Sequence, residues 1–317
     1  MSNPSFIEVR NVDVSYKPAG TMLTKLTGRP SIPHSVLHDV TFSLDGSDQG
    51  VLFGETGAGK STLFRLMAGA IKPSRGTIKI NGQKPQAIPH LAAGYVSPEE
   101  SEPKSESVQQ VLFAFTKQHD ISSAPARISE VLEILSISHL ASRLVNTLSS
   151  TERLRVNIAR AALSKAPIIL LDDVLDQLGA REVKRIISTV FSGRAVLIAT
   201  RSVQDAEAMN VPIAILHKGK IVHFGHQQEI AGKATCPRTV NAWVEGLRYD
   251  LLRSIKALPG VLEVRLVPTD QFEGQRLKVV VQSSRYLPGL YDLVSQAPLI
   301  KIEEEPASLR EILTSLD

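Results

Sequence analysis

Two kinds of hydrophobic pattern alternate along most of the chain. Apolar and polar residues alternate over residues 6–16, and short continuous apolar runs occur at 51–53 and 168–171. Both patterns indicate strands, and the continuous runs favour strands that are buried on both faces. The predicted strands are 6–16, 36–44, 51–53, 77–80, 94–98, 168–173, 195–200, 213–216 and 221–224. Apolar residues at helical spacing predict helices at 61–68, 108–117, 128–135, 152–163, 181–191 and 203–210. This order predicts an α/β domain.

The last part of the chain predicts a second, smaller unit. Residues 226–237 are polar and contain Gly232, which is typical of a linker. Beyond the linker, the pattern predicts strands at 239–244, 261–267, 277–282 and 299–305 and helices at 249–258, 287–296 and 308–316. Up to the last helix, the order is β-α-β-β-α-β, the split βαβ pattern of ferredoxin-like domains. We therefore expect one domain at 1–232 and a small α+β domain at 233–317.

The stretch between the predicted strand 51–53 and the predicted helix 61–68 has the strongest chemical pattern. It fits the phosphate-loop pattern G-x-x-x-x-G-K-S. Its residues are Gly54, Glu55, Thr56, Gly57, Ala58, Gly59, Lys60, Ser61 and Thr62. Glycines let backbone N–H groups approach phosphate oxygens, because no Cβ blocks them. In this pattern the lysine reaches the outer phosphates and the serine hydroxyl binds Mg²⁺. The sequence therefore predicts a nucleotide-phosphate site, with Lys60 and Ser61 as its central side chains.

Two acids, Asp172 and Asp173, follow directly on the apolar run 168–171. Carboxylates at the C-terminal end of a buried parallel strand lie where α/β sheets bind ligands. Asp172 is therefore a candidate Mg²⁺ residue, acting through a water molecule. An acid pair that merely begins a loop is the alternative.

Tyr16 closes the first predicted strand and is a candidate for stacking on a nucleotide base. Core packing of Tyr16 is the alternative. The following residues 17–35 are polar, rich in Pro and Gly, and contain basic residues but no acid. We favour a solvated loop for this stretch, with a membrane-facing or partner-facing loop as the alternative.

Composition limits the class of protein. A hydrophobic fraction of 43% and a charged fraction of 21% in 317 residues are typical of a folded globular chain. The chain has no apolar run long enough to span a membrane and no signal pattern at its N-terminus. We therefore expect neither a transmembrane helix nor a signal peptide. The single cysteine, Cys236, excludes an internal disulfide and fits a reducing cytosol. A net charge of +4 and a pI near 9.1 permit contact with anionic lipid or nucleic acid without demonstrating it.

Over residues 6–232 the order and spacing of these segments resemble the nucleotide-binding subunit of an ATP-binding cassette (ABC) transporter. The phosphate loop matches completely, Tyr16 falls at the adenine-stacking aromatic of that family, and Asp172 falls at its magnesium-binding Asp. Residues 148–152 read Leu-Ser-Ser-Thr-Glu where the family has its signature L-S-G-G-Q, so Ser149 matches the signature serine. The resemblance implies a P-loop fold of ABC type with a mixed-sheet core, and ATP and Mg²⁺ as ligands.

Five features depart from that family pattern. Asp173 stands at the catalytic Glu, Arg201 at the switch His, Pro98 at the loop Gln, residues 150–151 at the signature glycines, and Gly179 at the last Asp of the segment S-A-L-D. Asp is one methylene shorter than Glu, and a general base is judged first by its reach. Arginine cannot relay a proton, although it can pair with a phosphate. Together these replacements imply that ATP binding is kept while hydrolysis is weakened.

The signature position also has a simpler interpretation. Ser149 and Glu152 form the pattern of a capping box, which begins an ordinary helix. In a homodimer both sites would combine Asp173, Arg201 and Pro98 with the altered signature residues 150–152. The working unit is therefore expected to include a second cassette, a catalytically intact one, although a homodimer remains an alternative.

The resemblance implies a helical subdomain at about 98–163. It also implies that the partner is an integral membrane permease and that this chain is cytoplasmic and lies on the cytoplasmic face of the cell membrane. The small C-terminal domain and the closing residues 307–313 resemble those of cassette subunits of drug, lipid and polysaccharide exporters. A generic appendage for dimer contact is the alternative for that domain. For the whole chain, the alternatives are a soluble ABC protein that acts on nucleic acid or the ribosome, and a non-hydrolysing regulatory ATP sensor. We expect no nucleic-acid partner, because the chain has one cassette and no heptad run.

Overall fold

The computed structural model of the chain describes residues 7–16, 34–45, 49–85, 94–97, 105–119, 121, 124–233, 236–268, 275–305 and 307–314. Within these ranges, none of the helices combines the length and the hydropathy needed to cross a membrane. The chain forms two compact units, Met1–Phe224 and Gly225–Asp317. Each unit has its own hydrophobic core.

The first unit contains a six-stranded sheet and a three-stranded sheet. The strands are β1 (Ile7–Tyr16), β2 (His34–Leu44), β3 (Gln49–Phe53), β4 (Arg75–Ile80), β5 (Gly94–Val96), β6 (Ile168–Asp172), β7 (Ala195–Thr200), β8 (Ile213–His217) and β9 (Lys220–Gly225). The larger sheet has the order β5-β6-β7-β3-β8-β9, and its strands from β5 to β8 pair in parallel. The smaller sheet has the order β2-β1-β4 and is antiparallel. Every strand predicted in this unit is present, with ends shifted by a few residues at most.

The helices of the first unit are α1 (Lys60–Met67), α2 (Val108–Gln118), α3 (Ala124–Ile134), α4 (Ser150–Leu163), α5 (Leu175–Val190) and α6 (Val203–Met209). The helix predicted at 181–191 is longer at its N-terminal end than expected. It begins at Leu175 and is interrupted at Gly179, whose φ of 73° and ψ of 157° are not helical. The prediction missed this first turn because a glycine inside the pattern indicates a break.

Helix α1 lies in the core between the two sheets of the first unit. Its side chains Leu63, Phe64, Leu66 and Met67 are fully buried and belong to one cluster with residues of both sheets. Burying large apolar side chains contributes roughly 1.5–3 kcal/mol each. The loop that precedes α1 is therefore fixed by strand β3 on one side and by a buried helix on the other.

The second unit is an antiparallel sheet covered by helices. Its strands are β10 (Arg238–Val244), β11 (Val261–Val267), β12 (Gln275–Val281) and β13 (Leu299–Glu305), in the order β11-β12-β10-β13. Its helices are α7 (Gln227–Lys233), α8 (Tyr249–Ala257), α9 (Leu287–Val294) and α10 (Leu309–Thr314). From β10 to β13 the order is β-α-β-β-α-β, which confirms the predicted pattern.

One prediction for the second unit is wrong. Residues 226–237 were expected to form a linker, but Gln227–Lys233 form α7. In this helix Ile230 and Ala231 are buried, and two apolar positions in a polar stretch are too few to show helical spacing.

The only tryptophan of the chain lies on β10, in the second unit. Trp243 is 8% exposed. The Arg276 guanidinium carbon lies 5.3 Å from the ring centroid and the Lys301 Nζ 5.2 Å from it, so two cations contact the indole. Trp243 is therefore part of the packing of the second unit.

Candidate functional site at the carboxyl edge of the parallel sheet

The parallel strands bring three separate segments to one edge of the sheet. Phe53 at the end of β3 pairs with Thr200 at the end of β7, and Asp172 at the end of β6 pairs with Ala199. The Gly54 amide also donates to the Thr200 carbonyl, at 3.2 Å. The residues that follow these strands are therefore neighbours, although they are far apart in sequence. Ligands bind at this edge in open α/β sheets.

The phosphate loop requires glycine at several positions. Gly59 has a φ of 106°, and a Cβ there would lie 2.6 Å from Leu37 Cδ2. A Cβ on Gly54 would lie 2.4 Å from the Leu216 carbonyl oxygen. Both positions exclude a side chain, the first by conformation and contact and the second by contact alone.

Lys60 is the buried cation of this loop. Its side chain is almost fully buried, and its Nζ donates to the carbonyl oxygens of Gly54 at 2.7 Å and Glu55 at 3.1 Å. Burial lowers the pKa of the Lys60 ammonium, while the nearby carboxylates of Asp173 and Asp172 act in the opposite direction. The ammonium is therefore held across the loop by neutral acceptors that an anionic ligand can replace.

A cleft of about 410 Å³ opens beside the loop. Its lining residues are His34, Val36, Thr56, Gly57, Gly59, Lys60, Ser61, Thr62, Asp173 and Arg201. The sequence predicted the loop, Asp173 and Arg201 but missed His34 and Val36, since a strand preceding the loop carries no motif. Tyr16 is not among the lining residues. It is 41% exposed and pairs with His34 at the strand ends, which places it next to a residue of the cleft.

Asp172 is buried, and within the described part of the chain only one of its two carboxylate oxygens accepts a hydrogen bond. The Tyr95 hydroxyl on β5 donates to Asp172 Oδ2 at 2.9 Å. Asp172 Oδ1 is buried and accepts no hydrogen bond from the described residues. Burial and the Asp172 charge raise the pKa of the Tyr95 hydroxyl, so it remains a donor. Sequence reasoning missed Tyr95, because it is 77 positions from Asp172 and has no motif of its own.

Asp173 lies in the cleft in an unusual backbone conformation. Its φ is 49°, and its amide donates to the Ala199 carbonyl at 3.1 Å. Desolvation raises the pKa of the Asp173 carboxyl, although the Lys60 charge acts in the opposite direction. Its Oδ1 accepts no hydrogen bond within the described part of the chain.

Arg201, predicted as the switch residue, pairs with an acid. Its guanidinium donates to Asp176 Oδ2 from Nη2 at 3.1 Å and from Nε at 3.3 Å. Both side chains are at least one-third exposed, at 59% and 34%. Asp176 belongs to α5, so the extra first turn of that helix supplies the partner. No motif in the sequence indicates the Arg201–Asp176 pair.

The predicted signature segment forms a closed helix start. Ser149 precedes α4 in extended conformation, and its Oγ accepts from the Glu152 amide at 3.2 Å. The Glu152 carboxylate accepts from the Ser149 amide at 2.7 Å and from its hydroxyl at 2.9 Å. The predicted capping box is confirmed. Ser149 is not among the residues that line the cleft.

Pro98 and most of the basic stretch 17–35 lie outside the described residues. The described residues contain no group of three or more His, Cys, Asp or Glu side chains placed to hold a metal ion.

Comparison with known proteins agrees with this geometry. The profile of the ABC transporter family matches residues 37–176. The molybdate/tungstate import ATP-binding protein WtpC of Thermococcus kodakarensis is 30% identical over 61% of this chain, which spans 62% of the length of that relative. The lipopolysaccharide export system ATP-binding protein LptB of Escherichia coli K12 is 32% identical over 62% of this chain and 86% of its own length.

Solved structures show the same fold. The dimeric structure of a bacterial ABC transporter cassette superposes with a TM-score of 0.59 at 20% identity, covering 69% of this chain and 98% of that one. At this identity the likeness concerns the fold alone, whereas LptB is similar in sequence over most of its length. The phosphate loop at the carboxyl edge of a parallel sheet, the family profile and these relatives agree, and the chain belongs to the family of ATP-binding cassette subunits of ABC transporters.

Proposed function

We propose that this chain binds Mg·ATP in the cleft beside the phosphate loop. The observation that carries the proposal is the buried Lys60 ammonium, which lies in a cleft lined by loop residues and has two carbonyl oxygens as partners. A buried cation with exchangeable partners favours a phosphate oxygen, since charge-assisted hydrogen bonds are stronger than neutral ones. The positive end of α1 faces the same ligand.

The residues at the carboxyl edge fit Mg²⁺. Asp172 Oδ1 is a buried carboxylate oxygen without a hydrogen-bond partner in the described structure, and Ser61 lines the cleft. Oxygen ligands of this type suit Mg²⁺, which keeps several waters and shares substrate phosphates. When bound, the ion would neutralise phosphate charge. Ser61 and Asp172 would hold it, and Tyr16, beside His34, would stack on the adenine.

An ATP titration tests this proposal. A fluorescent ATP analogue should bind the wild-type chain, and Lys60→Ala should weaken its affinity by about 10- to 100-fold, because a hydrogen bond to a charged group is worth about 1.5–3 kcal/mol. Lys184→Ala, which removes an exposed lysine from α5, is the matched control and should bind like wild type. Equal affinity of wild type and Lys60→Ala would contradict the proposal.

We further propose that the chain holds ATP better than it hydrolyses it. Asp173 stands where the family has a catalytic Glu and is one methylene shorter, which limits its reach to an attacking water. Arg201 is paired with Asp176, and Glu152 occupies the Ser149 hydroxyl. In both contacts, a group that could hydrogen-bond to the γ-phosphate already has a partner within the chain.

The rate of the chain alone tests this second proposal. Above its dimerisation concentration, the purified chain should turn over ATP far more slowly than about 1 per second, the low end of typical enzyme rates. Turnover at that rate or faster, abolished by Asp173→Asn, would show that Asp173 is a competent base.

For the whole protein we propose an exporter-type cassette subunit that consists of an ATP-binding domain and a small C-terminal α+β domain. This subunit would lie on the cytoplasmic face of the membrane, bound to an integral membrane permease and to a second, catalytically intact cassette. The β-α-β-β-α-β unit supports the exporter assignment, while the named relatives include both an importer and an exporter. Co-purification with a polytopic membrane protein and a second cassette supports this assembly, and a chain that purifies with ribosomes or without partners would contradict it.

A further inference from the structure

Tyr95 connects the edge strand β5 to the acid that ends β6. The two strands pair in parallel, with Tyr95 opposite Leu170, and the Tyr95 side chain reaches along β6 to Asp172. The ring packs against the hydrophobic core of the first unit. Its hydroxyl then donates to Asp172 Oδ2 at 2.9 Å. Strand pairing and core packing both fix this donor, so its position does not depend on a flexible loop.

The hydrogen bond from Tyr95 gives the two carboxylate oxygens of Asp172 different roles. Oδ2 is taken by Tyr95, whereas Oδ1 is buried and accepts no hydrogen bond from the described residues. A carboxylate has two equivalent oxygens and can rotate about its terminal torsion, which is broad for Asp. A fixed donor on one oxygen removes that freedom. Hydrogen bonds of this type orient the carboxylates and imidazoles that bind metals, and their loss commonly lowers metal affinity by about 10- to 100-fold.

We propose that Tyr95 is a positioning residue for the cation of this site. Its hydroxyl holds Asp172 so that Oδ1 stays available to nucleotide-bound Mg²⁺ or to one of its waters. This inference rests on the proposed binding of Mg·ATP. Tyr95 is not among the residues that line the cleft, and Phe at this position would keep the ring and remove the hydroxyl.

The test separates the metal from the nucleotide. A fluorescent ATP analogue is titrated into wild type, Tyr95→Phe and Asp172→Asn, first with a chelator and then over a series of Mg²⁺ concentrations. For Tyr95→Phe we expect the metal-free affinity of wild type and an about tenfold higher Mg²⁺ concentration for the half-maximal effect of the metal. Asp172→Asn removes the ligand charge and should show the larger shift. A thermal melt of each variant reports whether the first unit is folded.

The second unit offers a matched control. The Tyr291 hydroxyl also donates to a carboxylate, Glu304 Oε2, at 3.4 Å. Tyr291→Phe therefore loses the same kind of contact in the other unit and should leave the Mg²⁺ dependence unchanged.

The outcomes distinguish the inference from the function on which it rests. An unchanged Mg²⁺ dependence in Tyr95→Phe, together with a shift in Asp172→Asn, would overturn the role of Tyr95 and leave the site intact. Equal losses with and without Mg²⁺ would also overturn it, since the hydroxyl would then act on the fold. A wild-type chain whose ATP affinity does not respond to Mg²⁺ would count against the proposed function itself, and the inference would fall with it.

Discussion

Two helix starts in the first unit illustrate opposite uses of the same backbone groups. Helix α1 follows Gly59, which has left-handed backbone geometry and provides no side-chain cap, and its first turn carries no acid. Helix α4 follows Ser149, whose side chain and that of Glu152 satisfy each other's backbone amides. The first amides of any helix lack partners inside the helix. At α1 they are left for a ligand, and at α4 the chain supplies its own.

The two helix N-termini also differ in where negative charge comes from. A helix N-terminus favours negative charge. At α4 the Glu152 carboxylate already provides it, and hydrogen bonds from Ser149 lower the Glu152 pKa, so the group stays ionised. At α1 that place is open to a phosphate. The difference lies in the residues at the helix start, glycine in one case and Ser-x-x-Glu in the other.

The largest effect on stability and on ATP binding is expected at Gly59, the glycine that precedes α1. Gly59→Ala places a Cβ at a φ of 106° and 2.6 Å from Leu37 Cδ2, and should lower the free energy of unfolding by at least about 1–3 kcal/mol and abolish ATP binding. Gly57→Ala is the control. Its φ is 84°, but nothing lies within 4 Å of the added Cβ, so only the conformational cost of about 1–2 kcal/mol applies. Denaturant unfolding measures both, and equal losses would show that the contact with Leu37 is unimportant.

A smaller effect on stability is expected at the capping box that begins α4. Ser149→Ala removes the acceptor for the Glu152 amide and should cost about 1 kcal/mol of stability, as for other N-cap replacements. Ser150→Ala changes an exposed position inside the first turn and should be neutral or slightly stabilising, because alanine favours the helix. The two variants are compared by thermal unfolding. A Ser150→Ala loss as large as that of Ser149→Ala would mean that the capping box contributes nothing.

The smallest effect concerns pH. Because the Glu152 pKa is lowered in the folded chain, its ionised form stabilises the fold above the ordinary pKa of glutamate, and this contribution is lost as the pH falls through the lowered value. Glu152→Gln should therefore be less stable than wild type at neutral pH and equal to it in acid below that value. Melting temperatures of both proteins over this pH range measure the difference. A stability gap that does not close in acid would show that the Glu152 charge is not responsible.

Sequence patterns predicted what local chemistry dictates. The phosphate loop was identified because its glycines and Lys60 must occur at fixed spacing between a strand and a helix. The capping box at Ser149 was found for the same reason, since both partners lie within one turn. Buried strands such as β6 were also predicted well, because a continuous apolar run has few other uses in a globular domain.

Contacts between distant segments could not be predicted in this way. Tyr95 reaches Asp172 and Arg201 reaches Asp176 only after the parallel sheet has placed their elements side by side. The first turn of α5 was missed because Gly179 departs from helical geometry inside it. Helix α7 was missed because it buries too few apolar side chains to show a period. The two side-chain contacts depend on tertiary packing, whereas the two helical segments have local patterns too weak to predict a helix.

The position of Trp243 makes the two units separable by spectroscopy. Since the chain has a single tryptophan and it lies on β10, selective indole excitation reports on the second unit alone. Circular dichroism in the far ultraviolet, in contrast, reports on the helices and strands of both units. Coincident denaturation curves from the two signals would therefore identify one cooperative transition, and separated curves would give each unit its own stability. If a nucleotide raises the denaturation midpoint of the circular dichroism signal and leaves that of the Trp243 fluorescence unchanged, it binds to the first unit, and no label on the protein is needed.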